Sequence, residues 1–520
     1  MIVNSAGRKI PEILNGRALK PYMGPFSVVP ADVPVRSKRR LTLLRPGESK
    51  RRASLKDAVR AVGLEDGMTI SFHHSFREGD MIIGQVLTVI RELGIKRLRF
   101  APSAVINIRN PSIVDFVRDG TIDRIEASGI RGQLGDAVID GLMDNPVILR
   151  PHGARPMAIE TGELEIDVAF IGASSADEYG NATGLTGPNA CGALGYSFID
   201  ARCAGRVVVI TDCLVDYPCV PASISQQDVD FVVVVDQIGD SEKIGKGAAR
   251  VTKNPRDLLI AESAAQFIAH SGLFADGYSF QTGAGAISIA CTNYLADLTE
   301  EKGIQASFSL GGSTSAIVEM FQRGLIRTIQ CSQCFDSVAA RAMTSNPNIV
   351  ECDNSVYANI FGKGNMVNQL TFGILGALEV DVDFNVNILT GSSGEMMGGL
   401  GGGPDVAAGA QVPIVTLPIV RGRTPSVVKS VFTLCTPGET VAAVVTEAGT
   451  ALNPKHKTYP LLKENLEKSR LKLVSIEELQ RVAERLLGVP KPMPCTDKIV
   501  TLVEYRDGTV IDVIRQIKRR

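Results

Sequence analysis

Gly162-Glu-Leu-Glu-Ile-Asp-Val-Ala-Phe170 and Gly376-Ala-Leu-Glu-Val-Asp-Val-Asp-Phe384 share six of nine residues at a shift of 214. Three further pairs recur in the same order. Asp66-Gly67 returns as Asp276-Gly277 at a shift of 210, and Gly94-Ile95 as Gly303-Ile304 at 209. Gly120, in Arg118-Asp-Gly-Thr-Ile, returns as Gly324, in Gln322-Arg-Gly-Leu-Ile, at 204. A period this long is far beyond a solenoid repeat and signals a duplicated domain. Between the anchors, helical and strand-like stretches alternate. Ser54-Leu-Lys-Asp opens a capped helix with apolar residues at Leu55, Ala58, Val59 and Val62. A turn at Asp66-Gly67 leads into a strand over 68–72, a helix over 83–93 and a strand over 98–100. Such alternation implies a parallel sheet flanked by helices. The expected fold class is α/β: two tandem, duplicated domains, each with a mainly parallel sheet. The Gly- and Lys-rich stretch 239–247 divides the chain into an extension over 1–52, a first domain over 53–243 and a second over 244–520. The cleft between two such halves is a favoured ligand site.

The composition narrows the function. The chain has 520 residues with 55 Lys plus Arg against 56 Asp plus Glu, a net charge of −1, which argues against a general nucleic-acid binder. Charged residues make 21% and hydrophobic ones 44%, which rules out wholesale disorder. The start, MIVNSAGRKIPE, carries no apolar core of signal-peptide type, and no apolar run approaches the ~18 residues of a membrane span, so a cytoplasmic protein without a membrane segment is expected. Ten scattered cysteines read as small hydrophobes rather than a disulfide framework. The run 36–52 is strongly basic, with Glu48 as its one acid. It reads as a solvated arm or as a docking surface for an acidic partner.

No metal site is expected. His73 and His74 are neighbours on a strand and point to opposite faces, and Cys331-Ser-Gln-Cys334 has no second pair, whereas structural zinc takes four ligands. Gly283-Ala-Gly285 fits only the start of a dinucleotide fingerprint, because Ser288 stands where the third glycine would be. Its loop still lies between a strand and a helix, where backbone N–H groups can meet an oxyanion. Five of the six residues from Gly398 to Gly403 are glycine. That run is either a flexible loop or main chain held against a thin ligand or reacting carbonyl. Asp177, Glu178 and Asn181 occupy a tight turn in the first half, by ordinary turn chemistry or for function. Basic residues recur after short strands: His74 with Arg77, Arg131 near Ser128, and His152 with Arg155. Arg forks match carboxylates, so a small polyanion such as a tricarboxylate suits this inventory.

Several of these stretches resemble the alpha subunits of citrate lyase. They are Asp66-Gly-Met-Thr-Ile-Ser-Phe-His-His-Ser-Phe-Arg77, Ile166-Asp-Val-Ala-Phe170 with Asp177-Glu-Tyr-Gly-Asn181, Gln281-Thr-Gly283, Phe384-Asn-Val-Asn-Ile-Leu-Thr-Gly-Ser392 and Gly401-Gly-Gly-Pro-Asp405. The resemblance runs from about residue 50 to the C-terminus and places the two halves among coenzyme A transferase domains. It implies a transferase that exchanges the acetyl thioester of an acyl-carrier protein with citrate, giving a citryl thioester and acetate. The partners implied are an acyl-carrier (gamma) and a lyase (beta) subunit, and a homo-oligomer is expected. The thioester belongs to a phosphopantetheine group on the carrier, with acetyl-coenzyme A as surrogate and no cofactor on this chain.

Many coenzyme A transferases use a glutamate nucleophile after the glycine loop. Gly311 or Gly312 stands in its place here, so the resemblance implies a mixed citryl–acetyl anhydride without a covalent enzyme intermediate. It assigns Gly283, Gly285, Gly401 and Gly402 to the thioester path and oxyanion, with a side chain at Gly402 intruding on the thioester. His74, Arg77, Ser128, Arg131 and Arg155 are assigned to citrate, and Asp177, Glu178, Asn181 and Asp405 to supporting loops. The alternatives are a coenzyme A transferase for another acid, such as citramalate or a short fatty acid, and a non-catalytic metabolite sensor or scaffold.

Overall fold

Ser54 caps the helix Leu55–Ala61 by accepting the Asp57 N–H, and the helix Ile82–Glu92 buries Ile82, Ile83, Val86, Leu87 and Ile90 on one face. These helices cover strands whose residues are buried on both sides, such as Val168–Gly172. The computed structural model describes residues 1–27, 45–105, 112–244, 252–391, 394–489, 491 and 493–518. Of the basic run, 36–44 lies outside the described residues, as do 245–247 of the expected boundary, Ser392, and Arg519 with Arg520.

Two large sheets carry the same order. In the first, the strands Val147–Leu149, Ile122–Ala127, Leu98–Phe100, Thr69–Phe72, Val168–Gly172, Arg206–Thr211 and Phe231–Val234 lie side by side and parallel. In the second, Ile349–Glu351, Ile326–Cys334, Ala306–Ser313, Ser279–Thr282, Phe372–Gly376, Val412–Thr416 and Ala443–Thr446 repeat that arrangement. The duplication reaches individual hydrogen bonds. Gly67 and Gly277 both sit at φ +82°. Asp66 Oδ1 accepts the Lys96 N–H at 2.8 Å, and Asp276 Oδ1 accepts the Gln305 N–H at 2.9 Å.

One anchor is corrected. Gly162 follows the helix Ala154–Glu160, whereas Gly376 ends a strand, so the shift of 214 joins unlike elements. The counterparts are the turns after the strands Val168–Gly172 and Phe372–Gly376. Asp177 Oδ1 accepts the N–H groups of Tyr179, Gly180 and Asn181, and Asp381 Oδ1 accepts those of Asp383 and Asn385. Asp177 to Asp381 is a shift of 204, the same as Gly120 to Gly324. The two Leu-Glu-x-Asp-Val runs match because both alternate apolar and acidic residues. One leads into a central strand; the other holds the short strand Glu379–Asp381, which pairs with Val386–Asn387.

The chain ends do not follow their position in sequence. Cys495–Glu504 and Val510–Ile517 form a hairpin that completes the first sheet, with Thr501–Val503 parallel to Val147–Leu149. The described N-terminal residues pack on that hairpin. Asn4 Nδ2 donates to the carbonyls of Val510 and Ile511, and Ile10 and Leu19 share a core cluster with Ile148, Leu502 and Val510. Arg51–Arg52 forms the opposite edge strand, with the Arg52 guanidinium 4.1 Å from the centre of the Phe231 ring. Among the described residues no helix is long and apolar enough to cross a membrane.

Candidate active site

The strands of both sheets end in loops that meet between the halves. Gly129 faces Gly399 in an antiparallel bridge, Leu400 N–H donates to Ser128 O at 2.7 Å, and His152 N–H donates to Gly401 O at 2.9 Å. Two cavities lie at this seam. One, of about 270 Å³, is lined by His152, Tyr196, Gln281, Gly283, Gln333, Tyr357 and the glycine loop. The other, of about 170 Å³, is lined by His74, Arg77, Glu78, Ser128 and Arg131. Gly399 and Gly401 belong to both. A larger cavity of about 580 Å³ lies in the second half near Asp383, Lys455 and Ser475, and none of the residues assigned from sequence lines it.

The structure brings most of the assigned residues together. Gly283, Gly401 and Gly402 line the first cavity and His74, Arg77, Ser128 and Arg131 the second. Gly285 caps the helix Ala286–Glu301 just behind Gly283. Among the described residues, the N–H groups of Gly283, Gly401 and Gly402 donate to no protein acceptor. Arg155 stands apart. Its guanidinium is buried, donating to Ser71 Oγ at 2.7 Å, Ala101 O at 3.0 Å and Asp200 at 3.0 and 3.2 Å. Asp177 and Asn181 build their turn and tie it to Cys219 and Gln226, while Glu178 is exposed; none of the three lines either cavity. Asp405 is buried behind the glycine loop and accepts the Gly153 N–H at 2.9 Å.

Most of the glycine run answers to packing within the protein. A Cβ at Gly129 would overlap Gly399, one at Gly398 would overlap the Ile388 carbonyl, and one at Gly402 would overlap the Tyr357 hydroxyl. A side chain at Gly402 therefore meets Tyr357 first, not a thioester. At Gly283 the nearest atom to an added Cβ is Ser288 Oγ at 3.5 Å, so that position is open.

Several lining residues escaped the sequence reading. Gln333 Nε2 donates to His74 O at 3.0 Å, and its Oε1 accepts from Arg77 Nη1 at 3.5 Å. Tyr196 packs against both His74, tilted at 4.4 Å between ring centres, and His152, edge-on at 4.9 Å, and its hydroxyl is 3.1 Å from His152 Nδ1. Gln281 Nε2 donates to the Tyr357 hydroxyl at 3.0 Å. Gln281 and Gln333 had a signal, since each lies inside a stretch already singled out, Gln281-Thr-Gly283 and Cys331-Ser-Gln-Cys334. The tyrosines had none, because a lone Tyr in an apolar stretch reads as core.

Burial keeps both histidines neutral. It lowers His152 to about 4, with Arg155 adding to the effect, and holds His74 well below its ordinary value, with His152 and Arg77 contributing. Cationic charge in the second cavity therefore comes from Arg77 and Arg131. Glu78 partly balances it, 3.7 Å from Arg77 and 3.2 Å from Arg131. Arg77 also lies over the Phe335 ring at 4.9 Å, which fixes its plane. The seam thus joins unpaired main-chain donors to a cationic pocket.

Residues 48–517 match the family described as citrate lyase, alpha subunit (CitF). The citrate lyase alpha chain of Klebsiella pneumoniae is 48% identical over 465 residues, covering 89% of this chain and 91% of that one. The alpha chain of Escherichia coli K12 is 47% identical over 466 residues, covering 90% and 91%. A crystal structure from Streptococcus mutans, described as a citrate lyase alpha subunit in complex with citrate, superposes with a TM-score of 0.95 at 44% identity, covering 99% of this chain and 100% of that one. The malonate decarboxylase alpha subunit of Acinetobacter baumannii shares the fold, with a TM-score of 0.62 at 16% identity over 85% of this chain and 94% of that one. With a family match across nearly the whole chain and close relatives over nine-tenths of it, this chain belongs to the citrate lyase alpha-subunit family.

Proposed function

We propose that the two adjoining cavities are where an acetyl thioester and citrate exchange partners. The carrying observation is that bare main-chain N–H groups of the glycine loops and the cationic pair Arg77 and Arg131 open onto one seam through Gly399 and Gly401. In this reading citrate enters the second cavity. Its carboxylates bind Arg77 and Arg131 and displace Glu78, which is 42% exposed and free to turn outward. The thioester of the carrier's phosphopantetheine group enters along Gly283 and Gly401. A citrate carboxylate attacks the thioester carbonyl, the C–S bond breaks, and a mixed anhydride and a thiolate result. The thiolate then attacks the citryl carbonyl and acetate leaves. Gly283 and Gly402 N–H groups stabilise the oxyanion formed at each attack, a contribution of about 2.7–4 kcal/mol per donor elsewhere. No residue has to accept a proton, which fits two histidines held neutral beside the seam. The chain would serve in the cytoplasm beside acyl-carrier (gamma) and lyase (beta) subunits, with acetyl-coenzyme A able to replace the carrier in an assay.

The test is acetyl transfer to citrate, citramalate and butyrate, measured side by side, for the natural chain and Gly283→Val. Transfer to citrate is expected to dominate. The variant should lose about 10²-fold in kcat, the scale of a small misplacement of reacting groups, with an unchanged unfolding midpoint. Equal turnover of all three acids would overturn the substrate reading, and full activity in Gly283→Val would overturn the thioester path.

A further inference from the structure

The strand Ile326–Cys334 carries two thiols that the reaction does not use, on either side of two residues that line the first cavity. Its pairing with Ala306–Ser313 slips by one residue, with Gly311 opposite Cys331 but Gly312 opposite Gln333. An uninterrupted strand would send residues 331 and 334 to opposite faces. The slip at Ser332 brings them to the same side, and their Sγ atoms lie 3.5 Å apart. Between them, Ser332 and Gln333 face the cavity, and Gln333 spans from His74 O to the Arg77 guanidinium.

We propose that Cys331 and Cys334 form a reversible disulfide that withdraws Gln333 from Arg77 and weakens binding of the acid. The bond requires the sulfurs to close to about 2.05 Å. Gly192 of the first half packs so tightly on Cys334 that an added Cβ would overlap its sulfur, so the closure is taken up within 331–334. Gln333 lies inside that span, and its contact with Arg77, at 3.5 Å already the longer of its two, is the one the closure draws apart. With hydrogen peroxide as oxidant, one thiolate attacks a peroxide oxygen, the O–O bond breaks to leave a sulfenic acid and hydroxide, and the hydroxide takes up the proton the thiol had lost to become water. The second thiol then displaces a further water, so two thiols and one peroxide give one disulfide and two waters. A dithiol reductant reverses this by exchange. Both sulfurs are buried, and the Cys334 thiol is held well above its ordinary value by its hydrogen bond with Cys331 and by burial. Oxidation is therefore slow and speeds up with pH, since the thiolate is the reacting species.

The consequence for acid binding rests on the function proposed above; the bond itself does not. The full chain is treated with hydrogen peroxide, the bond is mapped by peptide mass, and the citrate KM is measured with acetyl-coenzyme A. The expected result is a loss of about 2 Da in a peptide containing both Cys331 and Cys334. With it, KM should rise by about tenfold or more, reversed by dithiothreitol and absent in Cys331→Ala and Cys334→Ala. No mass change, a bond to Cys191 or Cys352 instead, or a mapped bond with an unchanged KM would each overturn the proposal. If the untreated chain transfers nothing to citrate, the functional reading fails, and the mass map still decides the fate of the thiols.

Discussion

At the scale of single residues, two arginines that look alike in sequence have different work. Arg77 and Arg155 both follow short strands of the first sheet, and both fit a carboxylate clamp. Arg77 lines the second cavity, whereas Arg155 is 5% exposed and joins Ser71, the Ala101 carbonyl and Asp200. A single sequence shows which residue types recur after strands but not which Asp across the sheet claims one of them. The difference predicts opposite failures. Arg77→Ala should raise the citrate KM by about 10- to 100-fold, the value of a hydrogen bond to a charged group, with little change in unfolding. Arg155→Ala leaves Asp200 buried without its partner and should lose about 3–5 kcal/mol in urea unfolding. A stable Arg155→Ala chain with a raised KM would return Arg155 to the substrate.

At the scale of elements, the glycine loop shows how far a pattern can be read. Its density of glycine was legible, and the sequence alone left a flexible loop and a ligand-facing loop both open. The reason for most of its glycines was not legible, because Gly129 and Tyr357 press on the loop from distant parts of the sequence and Ile388 from the stretch just before it. The helix that follows, Gly403–Gly409, carries Asp405 in its first turn. Asp405 bonds the Gly153 N–H, just after His152, and so holds the loops of the two halves together. Burial raises its carboxyl from 3.8 to about 7, against smaller opposing effects of Arg506 and the Gly153 N–H. The folded chain therefore binds a proton here that the unfolded chain has lost between pH ~4 and ~7, and stability falls as pH rises through that window. Asp405→Asn keeps an acceptor for Gly153 without the charge. It should be more stable than the natural chain at pH 8 and gain little at pH 5, by urea unfolding at both. A gain of the same size at both values would show that Asp405 is not protonated in the fold.

At the scale of the whole molecule, duplication was legible because each half repeats its glycine turns in order. The closing of the first sheet by the chain's last residues was not. Parallel pairing of Thr501–Val503 with Val147–Leu149 leaves no local mark in either stretch. Its electrostatic signature is visible only in three dimensions. Arg150 lies between Glu126 and Glu504, and Arg17 from the N-terminal segment also reaches Glu504 at 2.9 Å. Arg150, Glu126 and Glu504 are all buried, so each depends on the others for its charge. Breaking such a set by removing one partner costs about 3–5 kcal/mol, because the remaining ion keeps its desolvation penalty. Removing the hairpin does more: it leaves Val147–Leu149 as a bare edge and uncovers Ile10, Leu19 and Ile148. A chain ending at residue 494 should therefore aggregate or lose cooperative unfolding, although it deletes none of the residues that line the two cavities. Glu504→Gln should fold with a loss of about 3–5 kcal/mol and a near-normal citrate KM. Scanning calorimetry of both variants beside the natural chain decides the matter, since a truncated chain with an unchanged Tm would mean that the first sheet stands without its last two strands.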